Sequence, residues 1–361
     1  MVRWRAGTVT ALRRRWAGAV ELDVTLPDGT PMRALAYPAL VGEPEPGDRV
    51  LLNAGALLMG LGTGGYALVV ALPDRLPADP PQAQDTRDAG HLVKARYTPL
   101  QPILLGVDEE ASPHRPVLET AEDVAGMPVV TADLHSALPA ILAGVRADAP
   151  DARVAYVLTD GGALPAWFSR TLAGLREDLV GTVSVGQAFG GDLEASTLHV
   201  GLLAARHVLH ADVAIVAQGP GNLGTGTRWG FSGVAVGEAV NAAAALGGRP
   251  VGSLRISAAD PRPRHRGVSH HSLTAYGRVA LARAELVVPD GLDPALAAQV
   301  DAALAPLAGR HAVVRVPTDG LDAALRRAAV PLSTMGRGLD ADHGYFLSAA
   351  AAGRHAAHLL A

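Results

Sequence analysis

The chain has 361 residues, 49% hydrophobic and 18% charged, which is enough to bury a large core and too apolar for disorder. A net charge of −4 and 4% aromatics supply neither the field nor the stacking platforms that nucleic acid needs, so no nucleic-acid partner is expected. The absence of cysteine removes thiol nucleophiles, thiolate zinc sites, iron–sulfur clusters and disulfides, the last in keeping with a cytoplasmic setting.

The elements begin with short strands broken by turns. Val20 to Leu26 is β-rich and closes on Pro27-Asp28-Gly29-Thr30, a hairpin signal. Glu45-Pro46-Gly47-Asp48 makes a second turn before the run Arg49 to Leu52, and Gly-Leu-Gly-Thr-Gly-Gly (60–65) leads into Tyr66 to Ala71. Strands at this spacing predict a small N-terminal β-barrel over residues 1–75, since closure removes exposed edges. Arg13-Arg14-Arg15 reads as a solvated part of it, and these charges interrupt any apolar core of a signal peptide. The uncharged run Val50 to Pro73 is long enough to span a bilayer. Its glycines and the adjacent strand signals place it in the barrel instead, and no membrane span is expected. Residues 76–90, rich in Pro, Ala, Asp and Gln, read as a linker.

From 91 to 361 the pattern becomes strand, polar loop, Ala-rich helix, repeated. Pro128 to Thr131, Arg153 to Thr159, Thr182 to Gln187, Asp212 to Gln218, Val251 to Ser257, Glu285 to Pro289 and Ala312 to Val316 are the predicted strands. Helices are predicted near 138–145, 165–175, 195–210 and 236–246, and at the C-terminus. The fold class is therefore α/β, a mainly parallel sheet flanked by helices and preceded by the barrel. Such sheets bind ligands beyond the carboxyl ends of their strands, where this chain puts its polar loops.

The first of these loops runs Gly219-Pro220-Gly221-Asn222-Leu223-Gly224-Thr225-Gly226-Thr227-Arg228. Glycines let successive N–H groups converge on an anion, so Gly219, Gly221, Asn222, Gly224, Thr225, Gly226 and Thr227 are candidate substrate contacts. The letters match GxGxxG, but no helix starts within the glycines and Glu238 falls inside the next predicted helix. A standard dinucleotide site is a minor reading for that reason. The second loop, Arg262-Pro263-Arg264-His265-Arg266-Gly267-Val268-Ser269-His270-His271-Ser272, crowds donors onto the same rim. Arg264, His265, Arg266 and Ser269 are candidate anion contacts, and His270 and His271, with Asp160 at another strand end, are candidate catalytic groups. A solvated basic loop with His270 or His271 capping a helix near Ser272 is the plainer alternative. In the third loop, Ser333 to Asp340, Arg337 lies between glycines and is a candidate anion clamp, whereas Asp340 or Asp342 reads as a helix cap.

Metal binding is a rival use of the histidines. Asp133-x-His135 follows a strand and, with Asp160 and His270 or His271, could supply a mixed nitrogen and oxygen shell. No HExxH or His-x-His spacing supports this, adjacent histidines usually diverge, and Asp133 reads more simply as a helix N-cap. No metal is assigned, and Asp133 and His135 stand as weak candidates.

Gly-Leu-Gly-Thr-Gly-Gly-Tyr (60–66), His-Leu-Val-Lys-Ala-Arg-Tyr-Thr-Pro-Leu-Gln (91–101), Gly-Pro-Gly-Asn-Leu-Gly-Thr-Gly-Thr (219–227), Gly-Val-Ser-His-His (267–271) and Ser-Thr-Met-Gly-Arg-Gly-Leu-Asp (333–340) together resemble an uncharacterised bacterial family, domain of unknown function 3866. The resemblance spans nearly the whole chain but implies no reaction and transfers no catalytic residue. The residues alone point to a hydrolase or group transferase acting on a small anionic metabolite, with no cofactor specified and a homo-oligomer possible. A ligand-sensing scaffold is the alternative from another class. An NADP-dependent oxidoreductase, with the arginines of 262–266 on the extra phosphate, is a third.

Overall fold

The computed structural model describes residues 2–79 and 90–360. The chain divides into two compact units, one of Met1–Leu104 with Trp167–Ala173, the other of Leu105–Ala166 with Gly174–Ala361. Most of the expected linker, residues 80–89, lies outside the described residues.

In the first unit, β1 (Trp4–Trp16), β2 (Ala19–Thr25), β3 (Pro31–Ala36), β4 (Arg49–Asn53) and β5 (Ala67–Ala71) close a barrel in the order β1-β2-β3-β5-β4. Val9, Val20, Leu22, Val24, Leu52 and Val69 fill its interior, the inward half of an alternating pattern. The predicted turns form as read. Leu26 N–H donates to Thr30 O at 2.9 Å, Thr30 N–H donates to Asp28 Oδ1 at 2.9 Å, and Gly29 takes φ +83°. Arg13 and Arg15 lie on the exposed side of β1, paired with Asp23 and Glu43. A short antiparallel pair, β6 (Leu92–Val93) with β7 (Ile103–Leu104), completes the unit's described strands. Among the described residues, no helix is long and apolar enough to cross a membrane.

The second unit is built on a parallel sheet. Its strands are β8 (Pro128–Ala132), β9 (Val154–Thr159), β10 (Gly181–Ser184), β11 (Leu193–Glu194), β12 (Val213–Gln218), β13 (Arg249–Ser253), β16 (Glu285–Pro289) and β17 (Ala312–Val316). They lie in the order β11-β10-β9-β12-β8-β13-β16-β17. Two small antiparallel pairs, β14 (Ile256–Ser257) with β15 (Gly267–Val268) and β18 (Ser333–Thr334) with β19 (Arg337–Gly338), sit in the loops. β8, β12 and most of β9 are buried on both sides, which accounts for their unbroken Val, Ile and Ala runs. Helices Leu198–His207 and Ala235–Ala245 pack on one face through Leu202, Ala205, Ala239 and Ala243. Helices Leu138–Asp148 and His343–His358 pack on each other and onto the sheet.

That last pair meets backbone to backbone. A Cβ on Gly144 would lie 1.9 Å from Ala350 O, and one on Gly353 1.9 Å from Ile141 O. The expected result for Gly353→Ala is a loss of at least about 2 kcal/mol, because neither helix can yield without opening the layer. Urea unfolding checks this; a loss below about 0.5 kcal/mol, the size of a neutral surface change, would contradict it.

The chain leaves β8 for β9 on one side, returns to insert β12 between them, then crosses β8 to reach β13. The reversal places a topological switch at β12, β8 and β13, where an open α/β sheet leaves a crevice beyond its carboxyl ends.

Candidate functional site

Each strand at the switch ends in a buried polar residue. Asp133 follows β8, Gln218 ends β12, and Arg255 follows β13, all nearly inaccessible to solvent. Gln218 Nε2 donates to Asp133 O and to Asn222 Oδ1, both at 3.0 Å, and Ser232 Oγ donates to the same Asn222 oxygen at 2.8 Å. The base of the glycine loop is thereby tied to the end of β8. Asp133 is not a helix cap, as its carboxylate turns instead toward a histidine. Its Oδ2 lies 3.5 Å from His271 Nδ1 and 4.0 Å from Arg255 Nη1. None of these three atoms has a hydrogen-bond partner among the described residues.

The histidines come from the loop after β14. His265 ends a short 3₁₀ turn, Pro263–His265, and its Nδ1 lies 2.8 Å from Ser269 Oγ. That oxygen also accepts from His271 N–H at 3.2 Å, so Ser269 caps the helix His270–Thr274. The predicted cap by His270 or His271 is thus corrected. A serine hydroxyl satisfies an orphan first-turn N–H better than an imidazole, and both histidines lie inside the helix. Nor do the adjacent histidines diverge. Their ring centroids are 4.4 Å apart, and His265 packs against both, at 4.9 and 4.8 Å. Phe231 stacks flat on His271 at 3.8 Å and closes the cluster's apolar side. One ligating nitrogen from each of His265, His270 and His271 lies within 4.8 Å of the others.

Burial, reinforced by Arg255 and Arg262, pushes the His265 imidazolium down to about 3. Burial, with His271 and Arg264 adding to it, brings His270 down to about 4. Both rings are therefore neutral bases near pH 7. His270 Nε2 is buried without a partner.

Beneath them lies a network the sequence did not reveal. Asp260, fully buried, accepts from Arg255 Nη2 at 3.0 Å, from Arg262 Nε and Nη2 at 2.9 Å, and from Arg337 Nη2 at 3.2 Å. Burial alone would raise this carboxyl, but hydrogen bonds and charge from Arg262, then Arg255, hold it well below the ordinary range. Arg337 Nε also donates to Asp342 Oδ2 at 3.0 Å, and Ser257 Oγ lies 2.8 Å from Asp342 Oδ1. Asp342 sits at the start of the last helix without capping it, because its carboxylate is spent on these side chains. Asp340 pairs with Arg326 instead.

The sequence candidates separate accordingly. His265, Ser269, His270 and His271 come together with Asp133, while Asn222 and Gly219 form the adjoining loop base. Gly219 is buried so closely that a Cβ would lie 2.4 Å from Ala163 O. Beyond it, Gly221, Gly224, Thr225, Gly226 and Thr227 are exposed, and the loop bonds largely to itself. Thr225 N–H donates to Gly230 O at 2.7 Å, and Leu223 N–H to Ser232 Oγ at 3.1 Å. The helix after it begins only at Ala235, and Glu238 lies within that helix. Arg264 and Arg266 are exposed, the latter donating to Asp260 O at 3.0 Å. Arg337 is held by carboxylates. Asp160 is exposed and accepts from Gln187 N–H at 2.8 Å, an anchor for the neighbouring turn. His135 is buried against Tyr156 OH at 3.1 Å and is pushed down to about 4 by burial. Arg255, Asp260 and Phe231 escaped notice. The available signal was Arg255 itself, a charge set inside the apolar run Val251 to Ser257.

A parallel α/β unit carrying a buried imidazole, carboxylate and guanidinium cluster at its topological switch defines the class of molecule. The chain belongs to the family described as Protein of unknown function (DUF3866), whose model matches residues 33–353 and so reaches from the third barrel strand into the last helix. Among curated proteins none matches it significantly.

Proposed function

We propose that the cluster at the carboxyl edge is an active site for hydrolysis of, or group transfer from, a small anionic metabolite. One observation carries this reading: Asp133 Oδ2, Arg255 Nη1, His270 Nε2 and His271 Nδ1 are all buried beside the strand ends without a hydrogen bond, Asp133 Oδ2 approaching His271 Nδ1 only to 3.5 Å and Arg255 Nη1 only to 4.0 Å. An unmade hydrogen bond at a buried polar atom costs about 1–3 kcal/mol, so four such atoms on neighbouring side chains are expensive unless a ligand completes them.

The chemistry follows from the partners. Arg255, already neutralised on one side by Asp260, presents its second nitrogen as a charge-assisted donor to an anion. Asp133 faces His271 Nδ1 and so orients that ring, as a carboxylate does for a catalytic imidazole. His270 presents a buried Nε2 without a hydrogen bond, placed to take a proton from water or a substrate hydroxyl once a bound anion raises its basicity. Arg264, exposed on the same loop, adds attraction for an incoming anion. A cavity of about 10 Å³ lined by Asp133, Gln218 and Ser232 holds no more than a water beside the carboxylate.

A panel of phosphate monoesters and carboxylate esters, assayed with wild type and the His270→Ala/His271→Ala double variant, tests this. The expected result is turnover of one class by the wild type and a loss of at least about 100-fold in the variant. Full activity in the double variant, or neither turnover nor thermal stabilisation by any anion in the panel, would remove the proposal.

A further inference from the structure

We propose that His265, His270 and His271 form a binding site for a divalent transition metal, Zn²⁺ in particular, with Asp133 and Ser269 as the outer partners that orient two of the rings. The site coincides with the one proposed above, and in its presence the task of supplying the nucleophile passes from His270 to a metal-bound water.

Three features single out this cluster. First, one nitrogen from each ring lies within 4.8 Å of the others. A tetrahedral zinc with bonds of 2.0–2.1 Å needs its ligand atoms about 3.3 Å apart, so the rings must close by roughly an ångström or more. His270, the only partly exposed member, can swing without disturbing the core.

Second, the outer contacts are those of ligating histidines. A metal-bound imidazole usually gives its other N–H to a carboxylate, a hydroxyl or a backbone oxygen. His265 Nδ1 lies 2.8 Å from Ser269 Oγ, and His271 Nδ1 lies 3.5 Å from Asp133 Oδ2, leaving Nε2 of both rings to ligate. His270 contributes Nε2, which is buried with no protein partner.

Third, the charges match a metal that carries an anion. Arg255, Arg262 and Arg337 are matched by Asp133, Asp260 and Asp342, and Arg264 beside His270 adds one charge without a matching carboxylate in this set. A dication added here leaves the set strongly positive. Its fourth position is therefore suited to hydroxide or to a carboxylate or phosphate oxygen, within reach of Arg255 Nη1. Three imidazoles and one open position are the arrangement of a catalytic rather than a structural zinc site. The chain's lack of cysteine leaves such an imidazole set as its route to tight zinc binding.

The test uses the untagged 361-residue chain, stripped with chelator and dialysed, then titrated with Zn²⁺ and separately with Co²⁺. The expected result is one metal per chain, a rise in melting temperature, and visible absorption from tetrahedral Co²⁺. His270→Ala, on a partly exposed side chain, should weaken Zn²⁺ at least about 100-fold, since loss of an outer-shell partner alone costs 10–100-fold. Asp133→Asn should weaken it by about 10-fold or more. Substoichiometric binding by the wild type, or equal binding by wild type and His270→Ala, overturns the inference. Turnover that persists in fully chelated protein would overturn the proposed water-activating role while leaving the anion reading intact. A stoichiometric metal without any anion binding would do the reverse.

Discussion

Asp260→Asn is expected to destabilise the protein by about 3–5 kcal/mol, the cost of leaving a buried guanidinium without its counter-ion. Asp260 is inaccessible to solvent and its two oxygens receive Arg255, Arg262 and Arg337. Arg262 and Arg337 can turn toward water, because both are partly exposed, but Arg255 cannot, as only 2% of it is accessible. The penalty therefore belongs chiefly to Arg255, and Arg255→Met combined with Asp260→Asn should recover a substantial part of it. Urea unfolding of the wild type, both single variants and the double variant gives the coupling directly. A loss below about 1 kcal/mol in Asp260→Asn would show that the network is solvated and dispensable. The same substitution should also abolish anion binding, since Arg255 Nη1 is aimed by the bond its other nitrogen makes to Asp260.

In chelated protein, stability should fall steeply between pH 7.5 and 5.5. His135, His265 and His270 are held neutral in the folded chain, down to about 4, 3 and 4, against 6.5 for the free side chain. A depressed histidine takes up its proton more readily when unfolded. Its contribution is therefore complete above pH 6.5 and is lost progressively as the pH drops toward the folded value. Each group forfeits about 1.4 kcal/mol for each pH unit below 6.5, so the three together remove about 4 kcal/mol by pH 5.5. Asp260, whose folded value is depressed, adds its own loss only at lower pH, below its ordinary 3.8. Chemical denaturation at both pH values checks this, and His265→Asn should flatten the dependence by about a third. An unchanged midpoint from pH 7.5 to 5.5 would mean that these rings charge freely in the folded state.

The architecture was largely legible in the sequence because it rests on period and punctuation. The apolar runs at 154–159, 213–218, 285–289 and 312–316 are strands at or within a residue of where they were read, and the Asp28-Gly29 turn closes its hairpin. The loops of the site were also legible as loops, and the imidazole group at 265–271 does assemble. What could not be read was which side chain each polar residue would face. Asp133 looks like any aspartate before a helix, and only the insertion of β12 between β8 and β9 brings Gln218 beside it. Asp260 lies near its arginines in sequence, but Arg337 reaches it from 77 residues away. The loop of 221–227 was legible as glycine-rich and exposed, but not the bonds that shape it, which run from Thr225 N–H to Gly230 O and from Leu223 N–H to Ser232 Oγ.

A crystal structure at high resolution, grown without chelator, probes most directly whether the buried polar atoms at the switch point exist to hold something. The expected result is density for an ion or small molecule within bonding distance of His270 Nε2 and Arg255 Nη1, with Asp133 Oδ2 hydrogen-bonded to His271. Side chains rearranged to satisfy one another, with no foreign density between them, would contradict the account.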